Sequence, residues 1–83
     1  MTADVRAGLQ LLNDRGILRT KKLSTGLLKV KRPDAETVCV FNPETAMWFD
    51  SAEPDTHHFG FLKLCKHLGV PDLDAYAAFA ARP

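Results

Sequence analysis

Cysteine is scarce in this sequence, with only two among 83 residues. Two cysteines are too few for the disulfide framework of a small secreted domain. Both Cys39 and Cys65 lie inside apolar stretches, where a thiol usually packs as a small hydrophobic side chain. We therefore expect free, buried cysteines and a cytoplasmic protein of bacterial or phage origin.

Long hydrophobic runs are also absent. The longest uninterrupted apolar stretch covers residues 75–81 and is rich in alanine, whereas a transmembrane helix needs about 20 apolar residues. No charged segment followed by an apolar one opens the chain, as a secretory leader would. We expect neither secretion nor a membrane partner.

The motifs of the common enzyme classes are missing as well. The sequence has no glycine-rich phosphate loop, no nucleophile elbow and no convincing Ser/His/Asp or Cys/His arrangement. A chain of this length has little room for a pocket of a few hundred cubic ångströms. We expect no enzymatic activity, no cofactor and no small-molecule substrate.

What the sequence does contain is typical of one folded domain spanning residues 1–83. Apolar residues make up 46% and charged residues 25%, which are ordinary values for a globular domain. The net charge of +1 hides an asymmetry. Residues 1–33 hold eight basic and two acidic residues, a formal charge of +6, whereas residues 34–83 hold three basic and eight acidic residues, a charge of −5. Such a division informs the choice of partner rather than the fold.

Apolar periodicity predicts the fold class as α+β, in the order α-β-β-β-α-α. Val5, Leu9 and Leu12 mark one face of an N-terminal helix over roughly residues 3–15, which Gly16 ends. Three strands are predicted at residues 27–32, 36–42 and 45–50, joined by tight turns into an antiparallel meander. Residues 17–25 fit either a short strand or an ordered loop.

Two C-terminal helices complete the prediction. The first covers residues 57–68, with apolar positions at helical spacing and a stop at Gly69. The second begins at Pro71 or Asp72, and its Leu73 and Tyr76 are expected to face the core. The predicted core comprises Val5, Leu9, Leu12, Leu28, Val30, Cys39, Phe41, Phe61, Leu64, Leu68, Leu73 and Tyr76.

The basic residues of the first half suggest one candidate surface. If their outward faces align, they form a stripe able to neutralise several phosphates of a nucleic acid. Solvated lysines on an edge strand, which oppose aggregation, are the alternative interpretation. The candidate nucleic-acid-binding residues are Arg15, Arg19, Lys21, Lys22, Lys29, Lys31 and Arg32.

The acidic half suggests a second candidate surface. A short chain with an acidic region fits a protein-binding regulator, such as a phage-encoded inhibitor, that blocks a basic partner. The candidate protein-binding residues are Glu44, Trp48, Asp50, Glu53 and Asp55, although a tryptophan is more often buried than exposed. We favour the protein partner over nucleic acid, because a net charge near zero gives little long-range attraction to a polyanion.

A metal site receives little support at this level. His57, His58, Cys65 and His67 are suitable zinc ligands by type. Their spacing is poor, because Cys65 and His67 point in different directions on one helix. A further ligand, Cys39, would have to come from the sheet. We therefore predict no metal site.

Overall fold

The structure, a computed structural model, describes the backbone of residues 5–80 and the side chains of residues 6–80. The predicted core position Val5 therefore lies outside the described side chains. The α+β class is confirmed, and within the described residues the sheet has five strands instead of the three predicted. No helix in this range is long and apolar enough to cross a membrane.

The five strands form one antiparallel meander in chain order, each paired with the next. The three predicted strands are its centre, and a further strand lies at each edge. The strands are β1 (Arg19–Lys22), β2 (Leu28–Lys31), β3 (Val38–Phe41), β4 (Met47–Asp50) and β5 (His57–Phe59).

Residues 17–25, which the sequence allowed to be either a short strand or an ordered loop, contain strand β1. Its four residues, RTKK, include no apolar side chain and carry no strand signal of their own. The strand forms because a tight turn over residues 23–27 returns the chain onto β2. In that turn Leu23 N–H donates to the Leu27 carbonyl at 2.8 Å, and Gly26 adopts a φ of +89° that favours glycine.

Strand β5 corrects the predicted start of the first C-terminal helix. Residues 57–59 pair with β4, and the helix begins only at Phe61. Gly60, with a φ of +108°, separates the two elements, because a residue at that φ cannot continue an α-helix. The apolar stripe that predicted the helix begins only at Phe61. Residues 57–60 were included in the predicted helix because they precede the stripe, and they have no helical periodicity of their own.

The helices are α1 (Val5–Asp14), α2 (Phe61–Leu68) and α3 (Asp72–Ala80). Helix α1 ends as predicted at a left-handed Gly16, with Ile17 N–H donating to the Leu12 carbonyl at 2.9 Å. Helix α2 ends similarly at Gly69, whose φ is +79°. Helices α1 and α2 contact the sheet, and α3 packs against both of them. On the covered face of the sheet, strand residues such as Val30, Cys39 and Phe41 are fully buried.

Most of the predicted core is confirmed. The prediction is wrong for Leu73 and Tyr76, whose side chains are 86% and 62% exposed. Helix α3 instead buries Ala75 and Ala78, because α1 and α3 approach closely. A Cβ on Gly8 of α1 would lie 2.6 Å from the Ala78 carbonyl oxygen. Only small side chains fit such a contact, so the larger ones turn outward. The hydrophobic core residues that the prediction omits are Leu18, Trp48, Cys65, Val70, Ala75 and Ala78.

Candidate functional site

Within residues 5–80, one face of the sheet is left uncovered by the helices, and we call it the open face. Side chains alternate between the two faces along a strand, and residues directly opposite each other on neighbouring strands share a face. The pairing therefore fixes the composition of the open face from β1 to β5: Arg19, Lys21, Lys29, Lys31, Val38, Val40, Met47, Phe49, His57 and Phe59.

The β1–β2 side of the open face, which we call the basic half, carries four cations. Arg19 lies opposite Lys31 and Lys21 lies opposite Lys29, so two like-charged pairs are adjacent. Directly opposed like charges destabilise a sheet. None of the four side chains makes a salt bridge within the described part of the chain. They line a shallow depression of about 260 Å³, which concentrates positive potential in one place.

The β4–β5 side of the open face, which we call the aromatic half, carries rings and other apolar groups. The rings of Phe49 and His57 stack with centroids 5.4 Å apart and planes 25° apart. Phe59 is 65% exposed and Met47 is 38% exposed, although both are apolar. Val40 joins Met47, Phe49 and His57 around a second depression of about 150 Å³. The open face thus offers flat rings beside a cluster of cations.

Only part of the predicted basic stripe lies on this surface. The structure brings Arg19, Lys21, Lys29 and Lys31 together and places three other residues elsewhere. Lys22 lies opposite Leu28, on the face that the helices cover. Arg15 and Arg32 have partners within the fold.

Two of the predicted basic residues connect elements of the fold. Arg15 lies 3.4 Å from Asp74 and joins the end of α1 to α3. Arg32 Nη1 donates to the Gly69 carbonyl at 2.6 Å, which satisfies a carbonyl at the end of α2. The Nε atom of Arg32 also lies 3.4 Å from an Asp34 carboxylate oxygen. These partners explain the two arginines without a ligand.

The predicted acidic residues do not form one surface. Glu44 lies in the turn before β4, whereas Glu53 and Asp55 lie in the loop after it, at the opposite end of that strand. Asp50 lies on the face that the helices cover. Trp48 is only 2% exposed, and its Nε1–H donates to the Gly60 carbonyl at 3.0 Å. The indole is a core group and cannot serve as an exposed anchor.

On the covered face, three potential ligand atoms converge from separate elements. Cys39 and Asp50 lie opposite each other on β3 and β4, and His67 comes from α2. The donor atoms Cys39 Sγ, a carboxylate oxygen of Asp50 and a ring nitrogen of His67 all lie within 4.8 Å of one another. His67 Nε2 is 2.8 Å from Asp50 Oδ2. We call these three residues the Cys-Asp-His cluster.

The surroundings of the Cys-Asp-His cluster influence its ionisable groups. The hydrogen bond from His67, followed by one from the Ala52 backbone N–H at 2.9 Å, lowers the pKa of Asp50. Burial, together with the nearby Asp50 carboxylate, raises the pKa of Cys39 to about 12. A thiol with such a pKa is protonated at neutral pH and is a poor nucleophile. The cluster is therefore not an activated cysteine site.

The sequence did not predict this combination. The sequence suggested His57, His58, Cys65 and His67, with Cys39 as a further ligand from the sheet. The cluster contains His67 and Cys39 together with Asp50, which was not considered as a ligand, and His57 lies on the open face. His58 does lie near the cluster, with its ring stacked on Trp48 at 4.4 Å and its centroid 6.2 Å from that of His67. The missing signal was the β3–β4 register, which alone places Cys39 opposite Asp50.

Comparison with known proteins does not assign the chain to a family. No protein-family model matches it, and no curated protein or solved structure shows significant similarity to it.

Proposed function

We propose that the open face binds single-stranded nucleic acid, with phosphates on the basic half and bases on the aromatic half. One observation carries the proposal: two like-charged facing pairs and a stacked Phe49–His57 pair share the open face, with only β3 between them. Proteins that bind single strands combine a positively charged track with rings on which bases stack.

The basic half supplies the electrostatic part of this interaction. Lys29 and Lys31 are two residues apart on one strand, so their Cα atoms are separated by about 6.6 Å. Lys21 and Arg19 repeat this spacing on β1. A phosphate bound between such pairs relieves their mutual repulsion, and its counterions are released into solution. Without a ligand the same four charges repel one another across the hairpin, and only those on the edge strand β1 keep the alternative role of opposing aggregation.

The aromatic half favours unpaired bases over a duplex. Rings such as Phe49, His57 and the exposed Phe59 can stack only on bases whose faces are accessible. The described helices pack against the sheet, and none projects from the open face to enter a major groove. The surface therefore fits a flexible single strand lying across β1 to β5.

A protein partner is the second candidate, and a specific observation favours it. Met47 and Phe59 are exposed apolar side chains at the β4–β5 edge, and exposed apolar groups beside charge are common at protein interfaces. In this alternative the chain acts as a regulator or inhibitor whose open face contacts an acidic partner. The scattered acidic residues do not support the opposite arrangement, in which a basic partner is bound.

Fluorescence anisotropy with a labelled mixed-sequence single strand, compared with a duplex, tests the proposal at low and moderate salt. We expect the affinity for the single strand to fall with salt, with a logarithmic slope of about 0.7 per phosphate neutralised. The variant Lys29→Glu/Lys31→Glu should lose binding. The matched control Lys63→Glu/Lys66→Glu makes the same charge change on exposed positions of α2 and should retain more of it.

A second pair of variants tests the stacking contribution. Phe59→Ala removes an exposed ring from the open face and should weaken binding by about fivefold or more, since stacking contributes about 1–3 kcal/mol per base. Tyr76→Ala removes an exposed ring from α3 and should have no effect. Equal losses in the two charge-reversal variants would reject the open face as the site. Absence of any binding at low salt would leave the protein partner as the better proposal.

A further inference from the structure

We propose that the Cys-Asp-His cluster is a binding site for a divalent transition-metal ion of the zinc class. The site lies on the covered face of the sheet, so it is separate from the open face and does not depend on the proposed function. It rests on three donor atoms from three different elements that lie within 4.8 Å of one another.

The donors match one class of metal. Cys39 binds a metal as a thiolate, after its proton is released to solvent. A thiolate, an imidazole and a carboxylate together suit zinc and its spectroscopic substitute cobalt, whereas magnesium and calcium prefer oxygen ligands alone. Bonds of about 2.0–2.3 Å in tetrahedral geometry place neighbouring donors about 3.3–3.8 Å apart. The His67 and Asp50 atoms, at 2.8 Å, must separate slightly. The Cys39 sulfur lies within 4.8 Å of both other donor atoms. Side-chain movements of about 1 Å therefore bring the three donors to the separations that a tetrahedral metal requires.

The donors are held in place by their neighbours. Asp50 Oδ1 accepts a hydrogen bond from the Ala52 N–H at 2.9 Å, which orients the carboxylate and leaves Oδ2 toward His67. The Trp48 ring packs against His67, with centroids 5.1 Å apart. Neighbouring groups that fix ligand orientation in this way raise metal affinity. Cys39 is fully buried, so its sulfur has no freedom to turn into solvent.

The cluster also leaves room for a fourth ligand. The side chains of His67 and Asp50 are 37% and 16% exposed, so a metal between them would lie at the protein surface with Cys39 beneath it. Three protein ligands then leave one coordination position for water. His58 is the nearest further imidazole, but it is already stacked on Trp48. We therefore assign three protein ligands and one solvent ligand.

Cobalt titration of the full chain, reduced and stripped of metal, tests the assignment directly. Cobalt bound to a thiolate gives a sulfur-to-metal charge-transfer absorption that histidine or carboxylate sites lack. We expect this absorption to saturate at one ion per chain and to disappear when zinc is added. Failure of the wild-type chain to develop it would overturn the proposal.

The two cysteines provide matched variants. Cys39→Ser should abolish the charge-transfer absorption, whereas Cys65→Ala, which changes the other buried cysteine, should retain it. Persistence of the absorption in Cys39→Ser would overturn the assignment, as would its loss in a folded Cys65→Ala protein. Circular dichroism establishes that each variant is folded.

The histidines keep the test decisive if Cys39→Ser fails to fold. His67→Gln alters an exposed residue and should weaken cobalt binding by about tenfold or more, because even neighbours of metal ligands contribute about 10–100-fold. His57→Gln changes a histidine on the open face and should leave the affinity within about twofold. Equal affinities of His67→Gln and wild type would exclude His67 as a ligand and overturn the three-ligand site.

Discussion

Replacing Gly8 with alanine should destabilise the protein, although alanine is the better helix former. Gly8 lies within α1, where Gly→Ala normally gains about 0.5–1 kcal/mol. Here the added Cβ would lie 2.6 Å from the Ala78 carbonyl oxygen and 3.1 Å from its carbonyl carbon. Those atoms belong to the α3 backbone, so they cannot move aside as a side chain does.

The clash forces α1 and α3 apart, and overpacking of this kind costs about 1–3 kcal/mol. After subtraction of the gain in helix propensity, we expect a net loss of up to about 2.5 kcal/mol, centred on about 1 kcal/mol, in the free energy of unfolding. Separation of the helices would also loosen the packing of Phe61, whose Cζ lies 3.3 Å from the same Cβ position.

Urea denaturation followed by circular dichroism measures this change, with the midpoint expected to fall at an unchanged m value. For a domain of this size, about 1 kcal/mol corresponds to about 4–8 °C in Tm. Gly8→Ser should be at least as destabilising. If Gly8→Ala were instead more stable than wild type, the close approach of α1 and α3 would be wrong, because helix propensity alone would then determine the result.

Three further predictions concern the metal-free protein. Cys39 and Cys65, whose pKa values burial raises to about 12, should react with iodoacetamide at pH 8 only through unfolding, so mass spectrometry should show rapid alkylation in urea alone. The hydrogen bond from His67 lowers the pKa of Asp50 in the folded state. The ionised Asp50 therefore stabilises the fold above the unfolded pKa of about 3.9, and this stabilisation is lost as pH falls through the pKa of the folded state. Acid unfolding should accordingly be steeper in wild type than in Asp50→Asn. Leu73→Ser should change the free energy of unfolding by no more than about 0.5 kcal/mol, because Leu73 is 86% exposed, and a larger loss would contradict the orientation of α3.

Local patterns in the sequence were sufficient for the central elements of the fold. Alternation in β2 and helical spacing in α1 and α2 predicted which residues face the core, and those whose side chains the structure describes are buried. Such patterns arise because one face of each element is apolar. They fail where an element has no apolar face of its own, as in β1, which forms only because the turn after Leu23 returns the chain to an existing strand edge.

Helix α3 shows the opposite limitation. Its sequence offers two apolar faces, one with Leu73 and Tyr76 and the other with Ala75 and Ala78. Periodicity favours the larger side chains as the buried ones, since they gain more from burial. The close approach of Gly8 to Ala78 reverses this choice, and an interhelical distance cannot be derived from either helix alone.

The two proposed sites depend on information that only strand pairing provides. Lys21 faces Lys29 because of the β1–β2 register, and Cys39 faces Asp50 because of the β3–β4 register. A shift of one residue in either pairing would move the side chains of one strand to the other face of the sheet, and the residues of the corresponding site would no longer lie together. The sequence identified the cations as a possible stripe but not which four share a face.

Strand β4 contributes to both surfaces, and its alternation keeps them separate. Met47 and Phe49 lie on the open face, whereas Trp48 and Asp50 lie on the covered face. A ligand on one face therefore touches different side chains from a ligand on the other, and the two surfaces are connected through the backbones of β3 and β4, each of which carries residues of both. Loss of metal binding in a folded Cys39→Ser protein would leave the cations and rings of the open face intact. Reversal of Lys29 and Lys31 would likewise leave the Cys-Asp-His cluster intact, because neither lysine is on the covered face. The two proposals can consequently fail independently, and the failure of one does not weaken the other.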